Sequence, residues 1–262
     1  MCTVLFLYRI HPVYPLVLAA NRDEFRERPS SGPRILSDRP RSIGGLDLQE
    51  QGTWLGANEQ GFTVGLTNQR THQPPDRSLP SRGRLVRELL QVSSVKEVRD
   101  RLLDIDPAQY NPFNLFFGDA DNLQIAYVRP DRSGFSAVTL APGVYGLSND
   151  RIGSPEFPKA VRVRERALKV VAQPWNQLKD DLIEILGDHE VPPIEAVPEP
   201  PKHSIFSQSQ LQKLQAVCIH GDDYGTCSAT IIALSKERVV HYLFAPGLPC
   251  QTPFEDVTHL LD

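Results

Sequence analysis

The chain is read from its first two dozen residues. Met1-Cys2-Thr3-Val4-Leu5-Phe6-Leu7-Tyr8 passes through the turn His11-Pro12-Val13-Tyr14-Pro15 to Leu16-Val17-Leu18-Ala19-Ala20-Asn21-Arg22-Asp23-Glu24. Two apolar runs flank a Pro-bearing turn and a dense polar tetrad closes the second, a pattern that predicts a β-hairpin ending in a charged cluster. A hairpin returns the end of its second strand to the start of its first, so Asp23 and its neighbours are expected beside Cys2. Cys is small enough for a methionine aminopeptidase to remove the Met in front of it. The freed α-amine, of pKa roughly 7.7–8.0, would adjoin a thiol of pKa roughly 8.5, so that Cys2 alone supplies base and nucleophile and no His is required. The alternative for the same residues is structural: a small buried thiol and a solvated polar loop.

Working outward, Phe25 to Ser42 is rich in Arg, Pro and Ser without a period and reads as a loop near that cluster. Thr53 to Ala57 and Phe62 to Thr67 bracket Asn58-Glu59-Gln60-Gly61 as a hairpin, which delivers Asn68 and Arg70 to a strand end; local turn bonding is the other role open to both. Residues 71–80 form a further loop. Ser81 and Ser94 are N-caps for helices carrying Leu85, Val86, Leu89 and Leu90, and then Val95 to Leu103. Pro112 to Gly118 and Leu123 to Val128 form another hairpin, followed by strands at Phe135 to Leu140 and Val144 to Leu147; the latter leads to Asn149, by itself a turn residue.

A helix from Pro158 to Val171 should turn Ala160, Val161, Val163, Ala167, Leu168, Val170 and Val171 to the core, with a second from Trp175 to Leu186. A proline-rich surface loop covers 188–203. Leu214 to Ile219, Gly225 to Ala233 and Arg238 to Phe244 are expected as closing strands. Strands in succession joined by short turns, with the helices apart from them, indicate α+β layers.

At 262 residues, 40% hydrophobic and 23% charged, the chain is expected to be one domain with a sizeable core. A net charge of −4 provides no basic field for nucleic acid or anionic membranes. Neither a signal segment nor an apolar run long enough to span a membrane is evident, so a cytoplasmic, reducing location is expected. Cys2, Cys218, Cys227 and Cys250 show no C-x-x-C pair and no zinc spacing, and His220-Gly221-Asp222-Asp223 reads as a turn, so neither metal nor cofactor is expected.

The tetrad Asn21-Arg22-Asp23-Glu24 behind Met1-Cys2-Thr3 resembles the NRDE family, which includes the transport and Golgi organisation protein 2 group. Further matches are Gly52-Thr53-Trp54-Leu55-Gly56-Ala57-Asn58, Leu66-Thr67-Asn68-Gln69-Arg70, Ser81-Arg82-Gly83, Phe113-Asn114-Leu115, Gly146-Leu147-Ser148-Asn149 and Tyr224-Gly225-Thr226, which together cover nearly the whole chain. That family is similar to the N-terminal nucleophile hydrolases, particularly the cysteine amidases acting on bile-salt and penicillin-type amides. The resemblance implies a four-layer αββα sandwich with Cys2 as nucleophile, Asp23 as the orienting carboxylate and Asn149 as an oxyanion-hole amide. Asn21, Arg22, Asn68 and Arg70 would then bind substrate. Ala20 stands where the amidase branch carries Arg, and Cys227 stands where NRDE relatives carry Arg. The expected activity is hydrolysis of a linear amide or related acyl bond of a small hydrophobic metabolite; the alternative is a non-catalytic carrier of a hydrophobic ligand such as haem or acyl-CoA.

Overall fold

A computed structural model describes residues 2–131 and 134–262. The elements run β1 (Thr3–Tyr8), β2 (Leu16–Phe25), β3 (Ser30–Asp38), β4 (Arg41–Asp47), β5 (Leu55–Asn58), β6 (Thr63–Asn68), α1 (Arg82–Leu89), α2 (Val95–Leu103), β7 (Phe113–Gly118), β8 (Leu123–Val128), β9 (Phe135–Thr139), β10 (Gly143–Leu147), α3 (Pro158–Val170), α4 (Trp175–Leu186), α5 (Gln208–Lys213), β11 (Tyr224–Leu234), β12 (Val239–Ala245) and β13 (Glu255–Asp256). They form two antiparallel sheets, one ordered β10-β1-β2-β11-β12-β13 and the other β3-β4-β5-β6-β7-β8-β9. Helices cover the outer face of each, giving an αββα sandwich.

The period of 2 along a strand builds the layers. Val4, Phe6, Leu16, Leu18 and Ala20 point between the sheets and meet Ile43, Leu55, Phe116 and Ile125. Leu5, Leu7, Val17 and Ala19 point the other way, onto Val163 and Ala167 of α3 and Leu178 and Leu182 of α4. In the second sheet Val64, Phe113, Leu115 and Phe117 carry Leu85, Val86 and Leu89 of α1 and Val98 and Leu102 of α2. Because β1 and β2 are covered on both faces, their sequences read as unbroken apolar runs. Helix α3 lies so close on β10 that a Cβ at Gly146 would come within 2.0 Å of the Ala160 carbonyl oxygen.

Three expectations are corrected. The stretch Phe25 to Ser42 holds β3 and the start of β4, not a loop. β3 is an edge strand, mostly exposed, so polar residues interrupt its period, and Pro33 falls where the register with β4 shifts. Leu214 to Ile219 forms no strand: Val217 O accepts from the Asn21 side chain and Cys218 N–H donates to Asp188 O, so these backbone groups pair outside any ladder. In α3, Val161 and Leu168 lie on the solvent side, 42% and 47% exposed, whereas Lys159 joins Val163 and Ala167 in the buried stripe. Ser94 caps α2 by accepting from Glu97 N–H, and Ser81 precedes α1 without a side-chain cap bond.

Gly146→Ala tests the contact between α3 and β10. Forcing a methyl against the Ala160 carbonyl should destabilise the protein by about 1–3 kcal/mol. At roughly 2–4 °C per kcal/mol for a chain of this size, thermal unfolding should show the loss directly.

Candidate active site

The site forms where β1, β2 and β11 lie side by side. Thr3 pairs with Asn21, and Thr226 pairs with Asp23. Cys2, one residue before the ladder begins, thereby reaches the tetrad, with the main-chain amide of Asp23 close enough to its sulfur to favour the thiolate. Burial pushes the Cys2 thiol up, against the pull of that amide and of the Arg22 charge. Such a thiol is not a ready-made thiolate, and a nucleophilic role requires a base to remove its proton.

Asp23 is held on three sides. Thr226 Oγ1 donates to its Oδ1 at 2.7 Å, Lys159 Nζ stands 3.5 Å from its Oδ2, and Tyr224 OH donates to its main-chain oxygen at 3.0 Å. The Asp23 and Lys159 side chains are wholly buried. Burial pushes the Asp23 carboxyl up and the Lys159 ammonium down, while each charge holds its partner toward the ionised form. Lys159 is a residue of this candidate site that the sequence reading missed. Its signal was there: Pro158 starts the helix, and Lys159, Val163 and Ala167 recur at intervals of four on one stripe.

Asn149 approaches Cys2 through its neighbour: Ser148 Oγ donates to the Cys2 carbonyl at 3.1 Å and to Asn149 Oδ1 at 3.3 Å. Asn149 Nδ2 donates to the Asn68 carbonyl at 2.6 Å, and Arg70 N–H donates to the Asn149 carbonyl at 2.8 Å. The Asn68 side chain itself is exposed; its backbone receives Asn149. Asn114, from β7, completes this seam, its Nδ2 reaching Thr67 Oγ1 at 2.9 Å and Asp150 O at 2.9 Å. The chain after β10 is thus fastened to the end of β6, which explains why Asn68, Arg70 and Asn149 converge from distant parts of the sequence.

Asn21 takes a different place from the substrate contact expected of it. Its Nδ2 donates to Leu186 O at 2.8 Å and to Val217 O at 2.9 Å, so both amide hydrogens tie β2 to the end of α4 and to the segment before β11. Arg22 points between the sheets with its guanidinium 4.5 Å from the Trp54 ring centroid. Arg70 lies over Phe157 at 4.1 Å, and burial draws its pKa down to about 10. Arg82, another cation absent from the expected set, is drawn down to about 10 by burial and feels the Cys2 charge, as Lys159 does. Cys227 occupies the irregularity between Thr226 and Ser228, where β11 shifts register against β2. Arg22, Arg82 and Lys159 thus stand around Cys2 and Asp23, with Arg70 beyond Lys159; Glu24 lies toward Arg82, and Glu156 and Asp150 lie toward Arg70.

The fold is that of the N-terminal nucleophile hydrolases. A mutant of the conjugated bile acid hydrolase from Clostridium perfringens matches with a TM-score of 0.55 at 11% identity, over 100% of this chain and 94% of that one. An N-acylethanolamine-hydrolyzing acid amidase orthologue from Caenorhabditis elegans matches with a TM-score of 0.56 at 10% identity, over 88% and 92%. The sequence profile of the Transport and Golgi organisation 2 family matches residues 1–243, and the chain belongs to that family. The Transport and Golgi organization protein 2 homologue of Bos taurus is 30% identical over 289 residues, covering 99% of this chain and 98% of its own length. The Homo sapiens homologue is 32% identical over 261 residues, covering 92% and 91%. Among the described residues no helix is long and apolar enough to cross a membrane.

The coupling of Asp23 to Lys159 is testable by a mutant cycle. Lys159→Met should cost about 3–5 kcal/mol in urea unfolding, because it strands a buried carboxylate. Adding Asp23→Asn should recover part of that loss, whereas two strictly additive losses would show the residues to be uncoupled.

Proposed function

We propose that this protein is a cysteine hydrolase of a linear amide or related acyl bond in a small hydrophobic metabolite, working from a free N-terminal Cys2. The observation that carries the reading is the register of the β1–β2 ladder, which pairs Thr3 with Asn21 and so brings Cys2 beside Arg22 and Asp23. Met1, whose removal frees the amine, lies outside the described residues. The amine takes the thiol proton as sulfur bonds to the acyl carbon. As the carbon–nitrogen bond breaks, the departing amine receives that proton. Water, deprotonated by the same α-amine, then attacks the thioester, and the proton returns to Cys2 sulfur as it leaves.

Asp23, anchored by Thr226 and Lys159, orients the N-terminal residue. The developing oxyanion would be met by Asn149, whose Nδ2 has a second hydrogen beyond the one given to Asn68 O, and by the neighbouring cations. One such donor is worth roughly 2.7–4 kcal/mol in a site that excludes water. Arg22 and Arg70 would bind the polar end of the substrate. Free thiols at all four cysteines among the described residues suit a reducing cytoplasmic setting.

The same four cations support a second reading, in which the site only carries an anionic hydrophobic ligand such as haem or acyl-CoA. Conjugated bile acids and N-acylethanolamines, the compounds named for the structural relatives, are the first amides to test. Protein with a free Cys2, verified by intact mass, should release amine and trap an acyl thioester, with a rate that rises with pH through roughly 7 to 8 as the α-amine loses its proton. Protein in which Met1 or a tag blocks Cys2 should do neither at equal thermal stability. Equal turnover by the two forms would sink the amine mechanism, and binding of haem or acyl-CoA without turnover by either would leave the carrier.

A further inference from the structure

Outside the site just described, the fold gathers four metal-ligating side chains that the sequence keeps far apart. His189 follows α4, Cys218 and His220 lie in the irregular segment before β11, and Cys250 lies in the turn after β12. One ligand atom from each falls within 4.8 Å of all the others. Cys218 Sγ is 3.7 Å from Cys250 Sγ and 3.7 Å from His220 Nε2, and Cys250 Sγ is 3.3 Å from His220 Nε2. The His189 and His220 rings meet edge to face, their centroids 4.6 Å apart.

We propose that His189, Cys218, His220 and Cys250 form a closed tetrahedral zinc site that clamps three loops together. Ligands 2.0–2.3 Å from a tetrahedral zinc stand roughly 3.3–3.8 Å from one another, the range of the three sulfur and nitrogen separations above. Two soft thiolates and two imidazoles select zinc over hard cations such as magnesium and calcium. Four protein ligands leave no open position for a reacting water, so the ion is structural. A disulfide needs its sulfurs about 2.0 Å apart, well inside the separation found here. On binding, the two thiols release their protons to solvent and the imidazoles bind in neutral form, so that the two thiolates balance the 2+ charge of the ion and the site is neutral.

The clamp bears on the site through short bonds. Ile219, between two of the ligands, donates its N–H to Thr226 Oγ1 at 2.9 Å, and that hydroxyl donates to Asp23 Oδ1. Val217 O, one residue before Cys218, accepts from Asn21. Cys218 N–H donates to Asp188 O, next to His189. Zinc would thus hold the segment on which Asn21 and Asp23 lean, and the four ligands are positioning residues with respect to any chemistry at Cys2.

The test uses full-length, reduced protein stripped with a chelator and titrated with cobalt and then zinc. Cobalt should produce the intense visible bands of a tetrahedral thiolate site at one equivalent, and zinc should abolish them. Zinc should also raise the melting temperature and protect Cys250 from alkylation. His189→Ala and Cys250→Ser alter exposed residues, so both proteins should fold as the metal-free parent does, which circular dichroism checks. Both should lose the cobalt bands and the zinc-induced rise in melting temperature. A Cys2→Ala background removes the other candidate thiol near cationic groups, and the bands should persist in it. Absence of tetrahedral bands in the parent overturns the proposal, as does their survival in both ligand variants or their loss in the Cys2→Ala protein.

Discussion

Asp23 and Lys159 face each other 3.5 Å apart with no access to water, and much of the molecule is arranged to make that tolerable. Two isolated charges at such depth would cost several kcal/mol each, so they persist only with close partners and well-aimed hydrogen bonds. The partners come from three elements: Asp23 from β2, Thr226 from the adjacent β11, and Lys159 from the first turn of a helix that packs on β10. The pair fixes where α3 sits along the sheet. It also fixes where the carboxylate sits relative to Cys2, so a demand of electrostatics sets the geometry around that thiol.

The surrounding layers supply the low dielectric that makes these contacts consequential. β1 and β2 carry apolar side chains on both faces, with α3 and α4 on one side and the second sheet on the other. In that setting a hydrogen bond or a charge acts with little screening. The raised Cys2 thiol and the lowered Arg70 and Arg82 guanidiniums are consequences of the same burial. A thiol in this environment needs a base before it can act as a nucleophile, and in the proposed mechanism the α-amine would be that base.

The polar residues divide into those that face the inter-sheet space and those that brace it. Arg22, on the inner face of β2, stacks on Trp54; Asn21, one residue earlier, faces outward and holds two backbone carbonyls. A one-residue step along a strand reverses the face, so neighbours in one tetrad perform opposite tasks. The seam of Asn114, Thr67, Ser148 and Asn149 does for the second sheet what Asn21 does for the first. It binds irregular chain to a strand end and so positions Asn149 beside the Cys2 residue.

What the sequence by itself determined is local. Apolar runs bounded by turn residues specified β1, β2 and the hairpins around Asn58 and Asp119, and helical spacing specified the helices at Val95, Pro158 and Trp175, because each pattern is written within a few consecutive residues. Cys2 and Asp23 were legible as neighbours because a hairpin imposes that pairing. The edge strand β3 was obscured by exposure, which releases its residues from any period. Lys159 was passed over because a charged residue on a helix is ordinarily solvated, and only its partner on β2 makes burial possible. The approach of Arg82 to Cys2, and the convergence of His189, Cys218, His220 and Cys250 on one point, were decided by tertiary structure alone. Those residues come from loops and element ends brought together by the packing of layers, and the spacing between them along the chain carries no trace of their separation in space.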